Sequence, residues 1–183
     1  MKFIPYGRQD ISDEDINAVV DVLKSDFLTQ GPCVPQFEQA IADYVGVKHA
    51  VAVNSATSAL HVACLALGLK KGDWLWTSPN TFVASANCAL YCGANVSFVD
   101  IDPQTYNMSV SALKAKLVTA KASGVLPKLL FLLLSLVNHV RWKKFINCLK
   151  SMVLPLLKMH HMQLAVVIRV LKLVILVLPI LRY

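Results

Sequence analysis

The stretch HAVAVNSATSALHVACLALGL, residues 49–69, decides the fold class of this chain of 183 residues. It opens with a short apolar run rich in valine, which is typical of a buried strand. A turn of small residues follows, and a helix whose inner side is small or aliphatic is predicted to begin near Thr57. A strand that turns so tightly into a helix is the first half of a βαβ unit.

The same alternation of strand and helix patterns continues downstream. Strands are predicted at 74–79 (WLWTSP), at 95–102 (NVSFVDID) and near Leu129, and helices at 81–94 (TFVASANCALYCGA) and 109–117 (SVSALKAKL). This order predicts an α/β fold in which helices cover both faces of a mostly parallel sheet. Ligands of such sheets bind beyond the carboxyl ends of the strands.

Two helices are predicted upstream of the first strand. The first has Ser12 as its N-cap with Asp15 three residues on, followed by apolar residues at helical spacing. The second has an apolar stripe from Phe37 to Tyr44 and ends at Gly46.

The turn VNSATSALH, residues 53–61, is a candidate anion site. Free backbone N–H groups at the start of the predicted helix, with the hydroxyls of Thr57 and Ser58, would form a cradle, and small side chains would let a phosphate approach the backbone. The same residues also fit an ordinary helix N-cap, so the turn alone does not decide between the two interpretations.

Phe82 is the second candidate, since it is predicted just inside the helix that follows the second strand, at the carboxyl edge of the sheet. An aromatic ring there could lie flat on a planar cofactor ring. The alternative is ordinary packing in the core.

Asp100 and Asp102 end the third predicted strand. Paired acids at a strand end could bind a metal or exchange protons with a substrate. The alternative, which we favour, is that they are solvated turn residues and caps.

Charge is distributed unevenly along the chain. Residues 1–102 contain all 11 acidic residues and 6 basic ones, a net charge of −5, whereas residues 103–183 contain 12 basic residues and no acidic one. The last glycine is Gly124. A soluble domain mixes charges of both signs and uses glycine in its turns, and the chain after Gly124 does neither. The overall charge of +7 therefore averages two unlike parts of the chain and does not indicate nucleic-acid binding.

Five cysteines, an odd number, and a start that lacks the apolar core of a secretory leader favour reduced thiols and a cytoplasmic protein. Cys88 and Cys92 lie four apart on a predicted helix without a partner pair, so we interpret them as buried small residues. His49 and His61 have no ligand partner at useful spacing. These residues predict no metal site.

Three long segments carry a family resemblance: IPYGRQDISDEDINAVVDVLKSDFLTQGP (4–32), FEQAIADYVGVKHAVAVNSATSALHVACLALG (37–68) and TSPNTFVASANCALYCGANVSFVDIDPQTYNM (77–108). Together they resemble the sugar-nucleotide aminotransferases of the DegT/DnrJ/StrS type. PYGRQDI and KSDFLTQGP point to the subgroup that aminates sugars for pseudaminic acid synthesis. The resemblance implies that residues 1–128 are the N-terminal part of a fold-type-I large domain dependent on pyridoxal 5′-phosphate (PLP).

The resemblance also implies an activity and a set of contacts. A homodimer would transfer an amino group from glutamate to a UDP-4-keto-6-deoxy-N-acetyl sugar. Carried over by position, Ala56, Thr57 and Ser58 would hold the cofactor phosphate, and Phe82 would stack on the pyridine ring. The sugar nucleotide would be contacted by Tyr6, Asp26, Phe27, Leu28 and Thr29.

Two groups that the family needs are missing from this chain. A lysine must form a Schiff base with the cofactor, and an aspartate must pair with its pyridine nitrogen. In the family the aspartate lies in a motif like EDASHAIGG and the lysine in one like SFHPVK. This chain has no acidic residue after Asp102 and no tail lysine in a matching motif. No catalytic residue is assigned, and the chain itself is predicted to be inactive.

A shift of reading frame would account for this absence. Reading the codons of LLKMHHMQLAVV (156–167) one base upstream permits EDASHAIGG for residues 158–166, and the genetic code forces the alanines at 160 and 163. The same shift on VNHVRWKKF (137–145) permits GQSCEMEKI, with the glutamate at 143 forced. We therefore interpret residues 129–183 as an apolar tail read out of frame and assign no domain to them.

Two alternatives for the tail stay open. The apolar runs at 129–137 and 164–181 could anchor the chain in a membrane, but the first is too short to span a bilayer and the second contains Arg169 and Lys172. We do not interpret His160 and His161 as a metal site, because adjacent histidines face apart on a helix and no carboxylate or thiolate lies nearby in the sequence. The chain could also be a non-catalytic fragment that binds phosphate weakly and aggregates through its tail.

Overall fold

The computed structural model describes Gly7, residues 9–134, and three short segments of the tail, 156–160, 165–168 and 173–177. Tyr6 and His161 lie outside the described residues. In chain order the described elements are α1 (Asp13–Lys24), α2 (Cys33–Val45), β1 (His49–Val53), α3 (Ala56–Ala66), β2 (Trp74–Thr77), α4 (Ala84–Tyr91), β3 (Asn95–Phe98), α5 (Val110–Ala122), β4 (Leu129–Leu134), β5 (Leu156–His160), β6 (Ala165–Ile168) and β7 (Leu173–Val177).

The strands form one sheet in the order β1-β7-β6-β5-β4-β2-β3. Strand β6 runs antiparallel to both of its neighbours, and all other neighbouring pairs are parallel. The prediction of a mostly parallel sheet is confirmed. Because β1 and β2 point the same way, α3 and α4 both begin at the carboxyl edge of the sheet, where ligands of this architecture bind.

Two apolar clusters cover opposite faces of the sheet, as the alternation of side chains along a strand requires. Leu75 packs with residues of α3 and α4, together with Leu129 and Phe131. Its neighbour Trp76 faces the other way and packs with α5 and with Leu130. The predicted α/β fold, with helices on both faces, is therefore confirmed.

Helix α1 begins and α2 ends where their sequences predict, whereas α2 begins at Cys33, before the predicted apolar stripe that starts at Phe37. Ser12 Oγ accepts a hydrogen bond from the Asp15 N–H at 3.3 Å, and Asp15 Oδ2 accepts one from the Ser12 N–H at 2.9 Å, which completes a capping box. Helix α2 ends at Gly46, whose φ of +68° is the left-handed conformation of a helix C-cap.

Two further details of the predicted elements are wrong: the start of α4 and the burial of Tyr44. Helix α4 begins at Ala84, so Phe82 precedes the helix instead of lying inside it. The cause is a turn after β2, in which the Thr81 N–H donates to the Pro79 carbonyl at 3.0 Å. Tyr44 does not belong to the inner stripe of α2, since 89% of it is exposed.

The described part of the tail contributes β5, β6 and β7 to the sheet, through backbone pairing with β4 and β1. The domain boundary predicted at residue 128 falls directly before β4. Among the helices that the structure describes, none combines the length and the apolar character that crossing a bilayer would take.

Strand β1 lies at one edge of the sheet, and the Glu38 side chain protects this edge. The Ala52 N–H donates to Glu38 Oε1 at 2.7 Å in a half-buried position. Glu38→Ala is expected to lower the free energy of unfolding by about 1–2 kcal/mol, because the strand loses a bond to a charged acceptor. Glu38→Gln, which keeps an acceptor, should lose less. Urea unfolding followed by circular dichroism measures both, and equal losses would contradict the assigned bond.

Candidate functional site

The first turn of α3 is the centre of the candidate site. Ser55 is its N-cap in an extended conformation, with φ −160° and ψ 157°. The Ser55 hydroxyl oxygen accepts from the Ser58 N–H at 3.1 Å, and the Ser55 carbonyl accepts from the Ala59 N–H at 3.0 Å. The N–H groups of Ala56 and Thr57 have no acceptor among the residues that the structure describes, so they remain available to a ligand.

The surroundings of this turn suit an anion. Ala56, Thr57 and Ser58 are half-buried, while Ala59 and Leu60 behind them are fully buried in the first apolar cluster. The helix has 11 residues, so its dipole adds a partial positive charge at this end. Small side chains, free N–H groups and two hydroxyls lie together in a single helical turn, which is the arrangement that the predicted cradle requires.

Phe82 lies in the loop between β2 and α4, at the same edge of the sheet. Its side chain is 71% exposed, so the alternative that it packs in the core is wrong. The loop is held by the Ser85 N–H, which donates to the Phe82 carbonyl at 3.0 Å, and by a hydroxyl–hydroxyl bond of 2.8 Å between Thr81 and Ser85. An exposed aromatic ring on a braced loop suits stacking on a flat ligand.

Thr77 ends β2 directly before this loop. It is 1% exposed, and within the described part of the chain its hydroxyl oxygen has no hydrogen-bond partner. A buried hydroxyl without a partner costs about 1–3 kcal/mol. Nothing in the sequence predicts this unpaired hydroxyl, because a threonine at a strand end is unremarkable until its neighbours in the fold are known.

The predicted substrate segment, Asp26 to Thr29, forms the loop between α1 and α2, and all four of its residues are exposed. Gly31 closes the loop, since a Cβ at this position would lie 3.0 Å from both Cβ and the carbonyl oxygen of Phe27. Among the described hydrogen bonds, none joins this loop to the first turn of α3. The structure therefore shows these residues exposed, and no described hydrogen bond links them to the candidate anion site.

Asp100 and Asp102 serve the turn after β3. Asp100 Oδ1 accepts from the Ile101 N–H at 2.8 Å, and Asp102 Oδ1 accepts from the N–H groups of Gln104 and Thr105 at 2.9 and 3.0 Å. These bonds confirm the interpretation as turn residues. Among the described residues, no three or more histidine, cysteine, aspartate or glutamate side chains lie close enough together to hold a metal ion.

Three thiols meet where α3 packs against α4. A hydrogen bond with Cys88, added to burial, raises the pKa of the Cys64 thiol, and burial raises that of Cys92. The four cysteines with described side chains are all free. Raised pKa values make the Cys64 and Cys92 thiols poor nucleophiles. Cys88 is buried as predicted, whereas Cys92 is only half-buried.

Two lysines with described side chains have partners away from the cradle. Lys116 extends from α5 over the Trp76 ring, with Nζ 4.8 Å from the ring centroid, and donates to the Phe98 carbonyl. Burial lowers the pKa of Lys116, but its ammonium lies on the sheet face opposite to α3. Lys128 pairs with Asp73 at 2.8 Å, at the amino edge of the sheet.

Comparison with known proteins points to one family. The family described as the DegT/DnrJ/EryC1/StrS aminotransferase family matches residues 9–131. Members of this family depend on PLP. The UDP-4-amino-4,6-dideoxy-N-acetyl-beta-L-altrosamine transaminase of Campylobacter jejuni subsp. jejuni serotype O:23/36 (strain 81-176) is 49% identical over 115 residues, which are 63% of this chain and 30% of that protein. The chain spans about a third of the length of the curated relatives it matches.

Solved structures share the fold. A DegT DnrJ EryC1 StrS aminotransferase from Brucella abortus superposes with a TM-score of 0.72 at 26% identity, over 78% of this chain and 39% of that one. GDP-4-keto-6-deoxymannose-3-dehydratase with a trapped PLP-glutamate geminal diamine gives 0.72 at 26%, over 84% of this chain and 40% of that one. The described fold is thus that of the N-terminal part of a fold-type-I PLP-dependent transferase domain.

The described residues offer groups that suit the phosphate and the pyridine face of PLP. The first turn of α3 offers unpaired donors to the phosphate, and Phe82 offers an exposed ring to the pyridine. Lys116 and Lys128 have their partners elsewhere, and the sequence has no carboxylate after Asp102 that could pair with the ring nitrogen.

Proposed function

Because the chain belongs to the DegT/DnrJ/EryC1/StrS aminotransferase family, we propose that its fold serves PLP-dependent transamination of a nucleotide-bound 4-keto sugar. The substrate class is a UDP-4-keto-6-deoxy-N-acetyl sugar, with glutamate as the amino donor, in the synthesis of pseudaminic acid. The name of the Campylobacter relative supports the sugar class, and the trapped PLP-glutamate adduct of the dehydratase supports the donor. The observation that carries the proposal is the row of unpaired donors at the start of α3.

Each described residue has a distinct task in this proposal. The N–H groups of Ala56 and Thr57, with the hydroxyls of Thr57 and Ser58, would bind the phosphate and fix the position of the cofactor. Phe82 would orient the ring from one face and exclude water from it. When bound, the cofactor supplies an electron sink for the substrate carbon. Asp26, Phe27, Leu28, Thr29 and Tyr6 would contact the sugar nucleotide.

We further propose that the chain as written does not complete the reaction. The proton transfer of transamination needs a basic amine next to the substrate carbon. Lys116 and Lys128 already donate to other groups away from the cradle. The sequence also has no carboxylate after Asp102 that could pair with the ring nitrogen. The homodimer remains a prediction from the resemblance, and the cytoplasmic location remains a prediction from the unpaired cysteines.

The position of β5 supports the proposal that the tail is read out of frame. The family match ends at Phe131, close to the predicted start of the out-of-frame tail at residue 129. Strand β5 is the fourth of seven in the sheet and runs parallel to β4, with Leu134 beside His160. The shifted frame converts Met159 into Asp or Asn. An acid would then stand at the carboxyl end of a central strand, on the ligand edge of the sheet.

Binding of pyridoxamine 5′-phosphate and of pyridoxamine to the 183-residue chain tests the proposed function. We expect the phosphorylated compound to bind about tenfold more tightly or better, because only its phosphate can use the cradle. Equal affinities would contradict the cofactor site.

Incubation with PLP, glutamate and a UDP-4-keto sugar should give no aminated sugar, and measurable turnover would contradict the proposed inactivity. Resequencing the gene across codons 125–140 tests the frame, and an uninterrupted coding strand would contradict it.

A further inference from the structure

The hydroxyl of Ser55 makes two bonds to a single neighbour. Its oxygen accepts from the Ser58 N–H at 3.1 Å, and its proton is donated to Ser58 Oγ at 2.9 Å. We infer that Ser55 is a positioning residue for the phosphate site, which holds the Ser58 hydroxyl so that its proton is presented to the anion. This inference rests on the proposed function, which assigns the phosphate to the first turn of α3.

The direction of the hydroxyl bond carries the inference. Because Ser55 is the donor, Ser58 Oγ uses a lone pair in this contact and keeps its own proton. Within the described residues that proton has no acceptor. A hydroxyl that already accepts a hydrogen bond is polarised and becomes a better donor. A phosphate oxygen is the acceptor that this geometry suits.

The bond from the Ser58 N–H separates the donors of the turn into two groups. Ser55 satisfies the third N–H of α3 with its hydroxyl and the fourth with its carbonyl. The first two, from Ala56 and Thr57, are left for the ligand. Without the Ser55 hydroxyl, the Ser58 side chain could rotate and donate to a backbone carbonyl one turn earlier, as helical serines commonly do. The cradle would then lose a donor although no ligand-contacting residue had changed.

Ser55→Ala is the direct test, with calorimetric titration of the 183-residue chain as the readout. We expect the affinity for pyridoxamine 5′-phosphate to fall by about 5- to 20-fold, the range of one weakened hydrogen bond to a charged group. The affinity for pyridoxamine should not change. Ser55→Thr, which keeps both the donor and the acceptor, should restore the affinity for the phosphorylated compound. Equal losses for the two compounds, or no rescue by threonine, would overturn the inference.

Ser12→Ala is the matched control for loss of an N-cap. Ser12 caps α1 through the same kind of bond, from the Asp15 N–H to its hydroxyl. Both alanine variants should therefore lower the melting temperature. Only Ser55→Ala should weaken phosphate binding, and equal weakening in the two variants would reduce the role of Ser55 to stability.

A double-mutant cycle separates positioning from direct contact. If Ser55 acts through Ser58, the variant carrying both Ser55→Ala and Ser58→Ala should bind pyridoxamine 5′-phosphate no more weakly than Ser58→Ala alone. Independent, multiplying losses would overturn the inference. If the unsubstituted chain does not prefer the phosphorylated compound, the proposed function fails and the inference fails with it. If the unsubstituted chain shows the preference and Ser55→Ala keeps the same affinity, the inference alone fails.

Discussion

Leu60→Ala is expected to lower the free energy of unfolding by about 2–5 kcal/mol, the usual cost of an unfilled cavity in a packed core. Leu60 is 1% exposed and belongs to the apolar cluster that joins α3 and α4 to the sheet. Natural domains are stable by only about 5–15 kcal/mol. One substitution on α3 could therefore remove a large share of the stability and release the helix that carries the proposed phosphate site.

Leu65 on the same helix provides the matched control, because its side chain is 53% exposed. Leu65→Ala removes the same atoms from the same helix, and its effect should stay within about 0.5 kcal/mol. The midpoint of urea unfolding, followed by circular dichroism, measures both variants. Comparable losses of unfolding free energy in the two variants would contradict the burial of Leu60 in the core.

Much of this fold could be predicted from short-range patterns. The capping box at Ser12, the left-handed Gly46 and the strand from His49 to Val53 all depend on residues a few positions apart, and each is confirmed. The position of β1 at the opposite end of the sheet from β3 could not be predicted in this way. Strand order depends on which apolar faces pack together over long separations, and local periodicity does not record that.

For the candidate site, too, local features could be predicted and others could not. The proximity of Ala56, Thr57 and Ser58 could be predicted, because three consecutive residues in one helical turn must lie together. The sequence pattern predicts Phe82 inside a helix, because it does not reveal the turn after β2 that makes α4 begin only at Ala84. The Ser55–Ser58 bond depends on one side-chain rotamer, which composition and spacing do not determine.

Thr57→Asp should separate the stability of α3 from its ability to bind an anion. A carboxylate in the first turn of a helix stabilises it by about 0.3–1 kcal/mol, and the first turn of α3 contains no acidic residue. The same carboxylate would lie next to a bound phosphate. At about 4 Å and an effective dielectric constant near 20, each pair of like charges costs about 4 kcal/mol, or roughly a thousandfold in affinity. The variant should melt at the same or a higher temperature and lose binding of pyridoxamine 5′-phosphate.

Ser111→Asp makes the equivalent change in α5, whose first turn also has no acidic residue. Ser111 occupies the second position of its helix, as Thr57 does in α3, but it lies on the other face of the sheet from the cradle. Its aspartate should give a similar gain in melting temperature and leave the affinity for pyridoxamine 5′-phosphate unchanged. Because the two variants share charge, helix position and effect on stability, a difference in binding can come only from where the carboxylate stands. Retention of tight binding by Thr57→Asp would mean that the phosphate occupies another part of the chain.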